Sequence, residues 1–569
     1  MEAERDGEAR QYAEEYCQLL EWVSGRLEQY VRQVLSEGAS VPGEPAAGDG
    51  ARHRPVDGRV VDYRPPKEVE SIVGRHFQCW REGATRESLK ALRALVDDVL
   101  TWSVRTQHPF FLHRLFAGAD PVGQVAELLL ATVNTSADTY TAAPFLTVLE
   151  RRVVQALCER VGWEGGEGIF CAGGSFSNLV AMATARHALD ALPQAADRRP
   201  RLAVFTSAQS HYGIRRNAVL MGLVDAPGHV DRDVYLVPCD ANGCMEVEAL
   251  RAMLVAFRRQ RPDSQVLVNA TAGTTVLSAF DPIRATHRVL VEAFVDDDDD
   301  DDDAAVESER QPRFWLHVDG ALGGALLFSP TLRAAALDGL AECADSFALS
   351  AHKLLGAPQQ CSVLLMRQRG RLHAAHSARA QYLFHDDDDQ DDGAARWDLG
   401  DMTLTCGRRS DALKFWMMWM WRGDAGWAAR VERAVQAARH LAREASQRHG
   451  FVLVGRDAER EQTFSPPYTN VCFYYVPRPW RQRWRTLEQI RCDAEPQRLQ
   501  ALTAAICRRL RHTGQALLNY SPLEDQHLPP FLRVALNSPW AGDGRHRRHL
   551  LDLIEDAGEA WSVQQPAAP

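Results

Sequence analysis

The sequence predicts an α/β fold: a mostly parallel sheet wrapped by helices, with a smaller α/β domain towards the C-terminus. From about residue 165 onward, short apolar segments alternate with stretches of helical periodicity, the pattern of repeated strand–helix units. Several apolar segments run straight into glycine turns, as at Gly173-Gly174 and Gly323-Gly324. Beyond about residue 410 a helix-rich stretch encloses two more apolar strands. These features divide the chain into a helical N-terminal segment over 1–105, a large domain over 106–410 and a small domain over 411–569.

The N-terminal segment opens with helix-period spacing of apolar residues from Glu14 to Val23. Residues 37–65 are rich in Gly, Pro and Ala and read as a linker, and helical periodicity returns over Ser88–Val99. The first residues are charged with no apolar stretch behind them, unlike a secretory signal. No apolar run reaches the roughly eighteen residues a membrane helix needs. The twelve cysteines show no CxxC or zinc-type spacing and read as reduced thiols, so we expect a cytoplasmic protein without a metal.

The formal net charge of −11 is dominated by two acidic runs, Asp296–Asp303 and Asp386–Asp389 with Asp391 and Asp392. Without them the chain is close to neutral, and such dense like charge reads as solvated insertions. No basic stripe points to nucleic acid.

In the large domain, Gly168–Leu179 reads as a strand, a glycine turn and a helix start. Backbone N–H groups at such a turn suit a phosphate. A second strand, Leu202–Thr206, leads to Ser210-His211-Tyr212-Gly213, and a third, Val266–Ala270, leads to Thr274-Thr275. Phe314–Asp319 is a buried strand ending in an acid, and an acid at a strand's C-terminal end lies where open α/β sheets bind ligands. About thirty residues on, Ser346–Gly356 delivers His352 and Lys353 from an apolar segment. Apolar surroundings make a lysine easier to deprotonate, and a neutral amine can attack an aldehyde to form a Schiff base. A lysine for an aldehyde and an acid for a pyridine nitrogen are what pyridoxal 5′-phosphate (PLP) requires. In the small domain, Tyr468–Val476 and Phe531–Leu536 read as strands. Arg533 interrupts the second, so it is either paired in the core or faces a ligand carboxylate.

Taken in order, the motifs around Gly174, His211, Thr275, Asp319, Lys353, Gly407 and Arg533 resemble the group II PLP-dependent decarboxylases, in particular the glutamate and cysteine-sulfinate branch. The resemblance covers roughly residues 105–560. It implies the aspartate-aminotransferase-like fold (fold type I of PLP-dependent transferases) and a homodimer acting on a small-molecule amino acid. It also implies site roles: Gly174 and Ser175 at the phosphate, His211 stacked on the ring, a contact from Thr275, and Asp319 at the ring nitrogen. Ala321 lies beneath the ring, His352 reaches the phosphate, Lys353 bonds the aldehyde carbon, and Arg533 grips an acid with Arg114 assisting. Lys353, His211 and Asp319 form the catalytic set.

Several positions depart from the family pattern. The Asn-Pro usual before His-Lys is Ser350-Ala351, and the tryptophan usual after Ala321 is Leu322. Arg114 stands at the pocket glutamine of the glutamate branch, and His113 at its neighbour. Asp138 stands at a pocket aromatic, where it either pairs with Arg114 or selects a substrate bearing a positive group. The loop anchors Tyr382-Leu383-Phe384, Asp398-Leu399-Gly400-Asp401 and Cys406-Gly407-Arg408 are present. No tyrosine lies between Phe384 and Trp397, and Gly393 falls near the place of the usual proton-donating tyrosine. The expected activity is PLP-dependent decarboxylation of an acidic L-amino acid (glutamate, aspartate or cysteine sulfinate) to the amine and CO2. Two rivals stay open: a decarboxylating, aldehyde-forming enzyme on the same fold, and a catalytically impaired PLP-binding partner subunit.

Overall fold

The structure is a computed structural model. It describes residues 2–39, 58–77, 86–191, 202–223, 233–294, 313–380, 382–384, 397–455, 468–538 and 543–564. Both aspartate runs and Gly393 lie outside the described residues.

Among the described residues, seven strands form the larger sheet: β1 (Glu167–Cys171), β2 (Leu202–Ser207), β3 (Val234–Val237), β4 (Gln265–Thr271), β5 (Phe314–Gly320), β6 (Ser346–Ser350) and β7 (Ser362–Met366). Their order is β1-β7-β6-β5-β4-β2-β3, and β7 runs antiparallel to both neighbours while the remaining pairs are parallel. β4, β5 and β6 are buried along their whole length. That explains why they read as continuous apolar runs: helices cover both faces of a central parallel strand. Parallel pairing also gathers the C-terminal ends of β1, β2, β4, β5 and β6 on one edge. In register, Thr271 of β4 lies beside Asp319 of β5, and Asp319 beside Ala348 of β6.

A second, antiparallel sheet has the order β10-β11-β9-β8, formed by β8 (Phe451–Leu453), β9 (Asn470–Tyr475), β10 (Asn519–Leu523) and β11 (Leu528–Ala535). A long helix, Asp411–Ser446, runs from the large sheet to this one and breaks helical geometry at Gly423 (φ 62°, ψ 177°). Each sheet carries its own apolar core.

The N-terminal helices are Glu2–Ala39, Pro66–His76 and Arg86–Trp102. The tail of the Gly/Pro-rich stretch is packed, not free: Val60 is buried and donates its N–H to the Gly514 carbonyl at 2.8 Å.

Candidate active site

The turn after β1 is built on Gly173, whose φ of 95° suits glycine and which precedes the helix Gly174–Asp190. A Cβ on Gly174 would come within 2.9 Å of the Ala321 Cβ and 3.1 Å of Ser350 Oγ, so this turn, the end of β5 and the end of β6 meet closely. Ser175 joins the same place from the other side, because its Oγ lies 3.1 Å from where a Gly213 Cβ would stand. Asn217 Nδ2 donates to the Ser175 carbonyl at 3.0 Å and fixes the turn.

Asp319 is buried and held from two sides. Asn178 Nδ2 donates to its Oδ2 at 2.8 Å, and the Ala321 N–H donates to its Oδ1 at 3.0 Å. Behind them runs a buried polar chain. Asn178 Oδ1 lies 3.0 Å from His317 Nε2, His317 Nδ1 lies 2.8 Å from Ser346 Oγ, and Trp315 Nε1 donates to that same oxygen at 2.9 Å. Burial pushes His317 down to about 4, against the pull of Asp319, so its ring is neutral at neutral pH.

His211 caps the helix Tyr212–Leu220: its Nδ1 accepts the Gly213 N–H at 3.1 Å, which leaves the neutral ring's proton on Nε2. Burial lowers its pKa, with Asp319 opposing and Lys353 reinforcing. Lys353 is half-buried, and burial lowers its pKa too, against Asp319 and with help from Arg533. His352 Nδ1 lies 2.8 Å from the Cys361 carbonyl, and burial lowers the ring to about 4. Lys353 thus lies within charge range of His211, Asp319 and Arg533, although the four come from separate strands or turns.

Arg533, on β11, is buried. Its Nη1 donates to the Thr275 carbonyl at 2.8 Å and its Nη2 to the His113 carbonyl at 2.9 Å, while Nε has no partner. Asn470 Nδ2 donates to the carbonyls of Thr275 and Val276, both at 3.0 Å, so the small sheet grips the Thr275 turn at two points. Burial lowers His113 to about 4, and Arg114, Arg533 and Arg511 push it the same way. The positive charge of three arginines therefore converges on His113.

Arg114 itself is exposed and makes no hydrogen bond among the described residues. Among the described residues the pairing of Asp138 with Arg114 is not found: Asp138 Oδ2 lies 3.9 Å from Cys406 Sγ, and its Oδ1 is buried without a partner. The Arg408 guanidinium forms a buried pair with Glu150 at 2.6 Å and also holds the Phe170 carbonyl at 2.9 Å. Its anchor is structural, tying the chain after the second acidic run to β1.

Residues 83–476 match the family model described as the pyridoxal-dependent decarboxylase conserved domain. The chain belongs to the pyridoxal-dependent decarboxylases. It is 34% identical over 471 residues to human cysteine sulfinic acid decarboxylase, covering 82% of this chain and 85% of that one. It is 35% identical over 506 residues to mouse acidic amino acid decarboxylase GADL1, covering 88% and 82%. The crystal structure of mouse CSAD matches with a TM-score of 0.73 at 31% identity, over 94% of this chain and 99% of that one. The resemblance read from the motifs, the fold type I architecture and the PLP cofactor are borne out. The enzyme is a PLP-dependent carboxy-lyase.

The residues present fit that cofactor. An acid fixed in orientation, a lysine whose ammonium is disfavoured by burial, and a glycine turn opening a helix are the three chemistries PLP needs. Sequence reasoning missed Asn178, His317 and Asn470. His317 had a signal: two residues before Asp319 on a strand, it shares that residue's face.

Proposed function

We propose that this decarboxylase acts on an acidic L-amino acid, with cysteine sulfinate, glutamate and aspartate as the candidates. The observation that carries this is Arg533: a buried guanidinium fixed by two backbone carbonyls, within charge range of Lys353, with no carboxylate partner among the described residues. A guanidinium has five N–H donors, so capacity for a substrate acid remains. Relatives whose names specify cysteine sulfinic acid and acidic amino acids support the reading.

Bound PLP supplies an electron-accepting ring that makes loss of CO2 feasible. In our reading Gly174, Ser175 and His352 hold its phosphate, and Lys353 holds its aldehyde carbon. Asp319, immobilised by Asn178 and the Ala321 N–H, keeps a proton on the ring nitrogen. His211, Thr275 and Ala321 pack around the ring. Arg533, with the field of Arg114, orients the substrate's acid and so sets which bond faces the ring. His211 presents Nε2–H as a proton source. Borohydride treatment of the PLP-loaded protein should attach the cofactor at Lys353, and an adduct that persists in Lys353→Ala overturns that role.

We also propose the division at 105 and 410 given above, a cytoplasmic location and a homodimer. Among the described residues no helix is long and apolar enough to cross a membrane. The helix Pro121–Val133 exposes Val125, Leu128, Leu129 and Val133, and the helix it packs against exposes Met420 and Trp421. Such a face suits a second copy. Light scattering that gives a monomer with PLP bound would count against this.

The substrate test is a panel assay of CO2, amine, aldehyde and peroxide over acidic, aromatic and basic amino acids. Turnover confined to aromatic or basic substrates defeats the acidic reading. The absence of a tyrosine between Phe384 and Trp397 favours the aldehyde-forming rival as second reading, and the same panel scores it.

A further inference from the structure

Directly behind the loop that carries Lys353 lies a cavity of about 260 Å³, lined by Leu354, Arg430, Arg433, His440, Asn537 and Ser538 among others. It sits between that loop, the long helix Asp411–Ser446 and the chain leaving β11. Arg430 is 6% exposed and makes one hydrogen bond, from Nε to the Leu354 carbonyl at 2.7 Å. Its Nη2 is buried and has no partner. The space is reserved for it: Gly356 has φ 78°, and a Cβ there would run into the Arg430 guanidinium.

A buried guanidinium is costly unless a counter-charge and acceptors compensate it. The charges that reach Arg430 supply little. Arg422 and Arg433 are positive, and Asp120 is bound to Arg422, whose Nε donates to Oδ2 at 2.7 Å. Asp120 also caps the helix Pro121–Val133 by accepting the Val122 N–H at 3.0 Å. Arg433, one turn along from Arg430, is exposed and forms no ion pair among the described residues. Among the described residues the cavity wall therefore combines a buried, under-satisfied guanidinium, a second guanidinium without an ion pair and polar side chains, with no acid in the lining.

We propose that this cavity is a binding site for a small oxyanion, the carboxylate or phosphate group of a metabolite, distinct from the substrate site at Arg533. Both headgroups offer the planar or clustered oxygens that a guanidinium fork recognises. Because Arg430 holds the Leu354 carbonyl next to Lys353, an anion here would bear on the loop that presents the lysine. The inference stands apart from the acidic-substrate reading, since it uses none of the same residues.

The test uses the full chain loaded with PLP, so that the cofactor's own phosphate site is filled. Inorganic phosphate and acetate are titrated separately at constant ionic strength, followed by calorimetry and thermal midpoint, in the wild type, Arg533→Lys, Arg430→Met and Arg433→Gln. The expected result is one saturable anion site kept in Arg533→Lys, lost in Arg430→Met and weakened about tenfold or more in Arg433→Gln. The tighter of the two anions names the headgroup. Absence of saturable binding, or binding unchanged in Arg430→Met, overturns the proposal. If Arg430→Met fails to fold, unchanged affinity in the surface variant Arg433→Gln overturns it equally. So does a crystal structure of the loaded enzyme in which a side chain of this chain or of a second copy fills the cavity.

Discussion

Arg533 Nη1 donates to the carbonyl of Thr275 across 2.8 Å, joining the central part of the small sheet to the turn that follows β4. The bond does two things at once. It holds the guanidinium in place before any substrate arrives, and it lets the small sheet set the position of the turn that carries Thr275. A lysine at this position keeps the charge but loses the fork, so it cannot hold Thr275, His113 and a carboxylate together. Arg533→Lys is expected to raise KM for acidic substrates and to cost about 2–4 kcal/mol in kcat/KM, with a smaller effect on any non-acidic substrate. Equal losses on both classes would show that the residue is structural.

The histidine beside this arginine reports on the same field. His113 is lowered to about 4, first by burial and then by Arg114, Arg533 and Arg511. Its pKa is therefore below the unfolded value near 6.5. The sign follows: between about pH 6.5 and 4 the unfolded chain binds a proton that the folded chain refuses. The stability contributed by neutral His113 is whole above pH 6.5 and is lost as pH falls towards 4. Arg533→Met should raise the His113 pKa, and so should binding of an acidic substrate analogue, because one removes and the other neutralises a like charge. An imidazole NMR titration measures both. A His113 pKa that ignores the analogue would place the acid elsewhere.

Asn178 is the only residue among those described that bridges Asp319 to His317 with a side-chain amide. Asn178→Ala leaves a buried carboxylate short of one donor and should cost about 1–3 kcal/mol. With Asp319 in its proposed place at the ring nitrogen, the loss should appear as weaker PLP retention and an altered cofactor absorption spectrum, measured before any substrate is added. A variant that is merely less stable, with unchanged spectrum and PLP affinity, would reduce Asn178 to a packing role.

The parts of the site that were legible in the sequence are those whose chemistry is local. Lys353 follows an apolar strand, Asp319 ends one, and Gly173-Gly174 opens a helix, so each is visible within ten residues of chain. Asn178, Asn470 and the arginine of the rear cavity were not legible for the opposite reason. Their partners lie far away: Asp319 is 141 residues from Asn178, and Thr275 is 195 from Asn470. An asparagine one turn into a helix looks the same whether it faces solvent or a buried acid. His317 sits between these cases. Its shared face with Asp319 follows from strand alternation, but its contact with Asn178 depends on which helix covers that face. Of the two roles read for Asp138, pairing with Arg114 could not be judged from charge alone, because the fold turns its carboxylate towards Cys406.

The carbon that loses CO2 must then gain a proton, and the family's loop tyrosine has no counterpart here. The segment from His385 to Arg396 offers aspartates, a glycine and two alanines. An ionised carboxylate is a poor proton donor, and a segment this acidic repels an acidic substrate. A well-placed general acid is worth roughly 10²–10⁴ in rate. We propose His211 as the donor that remains: its Nδ1 is engaged by the Gly213 N–H, so Nε2 carries the proton on the neutral ring. We therefore expect slow decarboxylation with frequent diversion to aldehyde, either with O2 reduced to peroxide or with PLP left in its amine form. Gly393→Tyr should raise the yield of amine per CO2. In His211→Asn, the residual amine yield should fall further. Fast turnover by the unaltered enzyme, with amine matching CO2 one to one, would mean that another group supplies the proton.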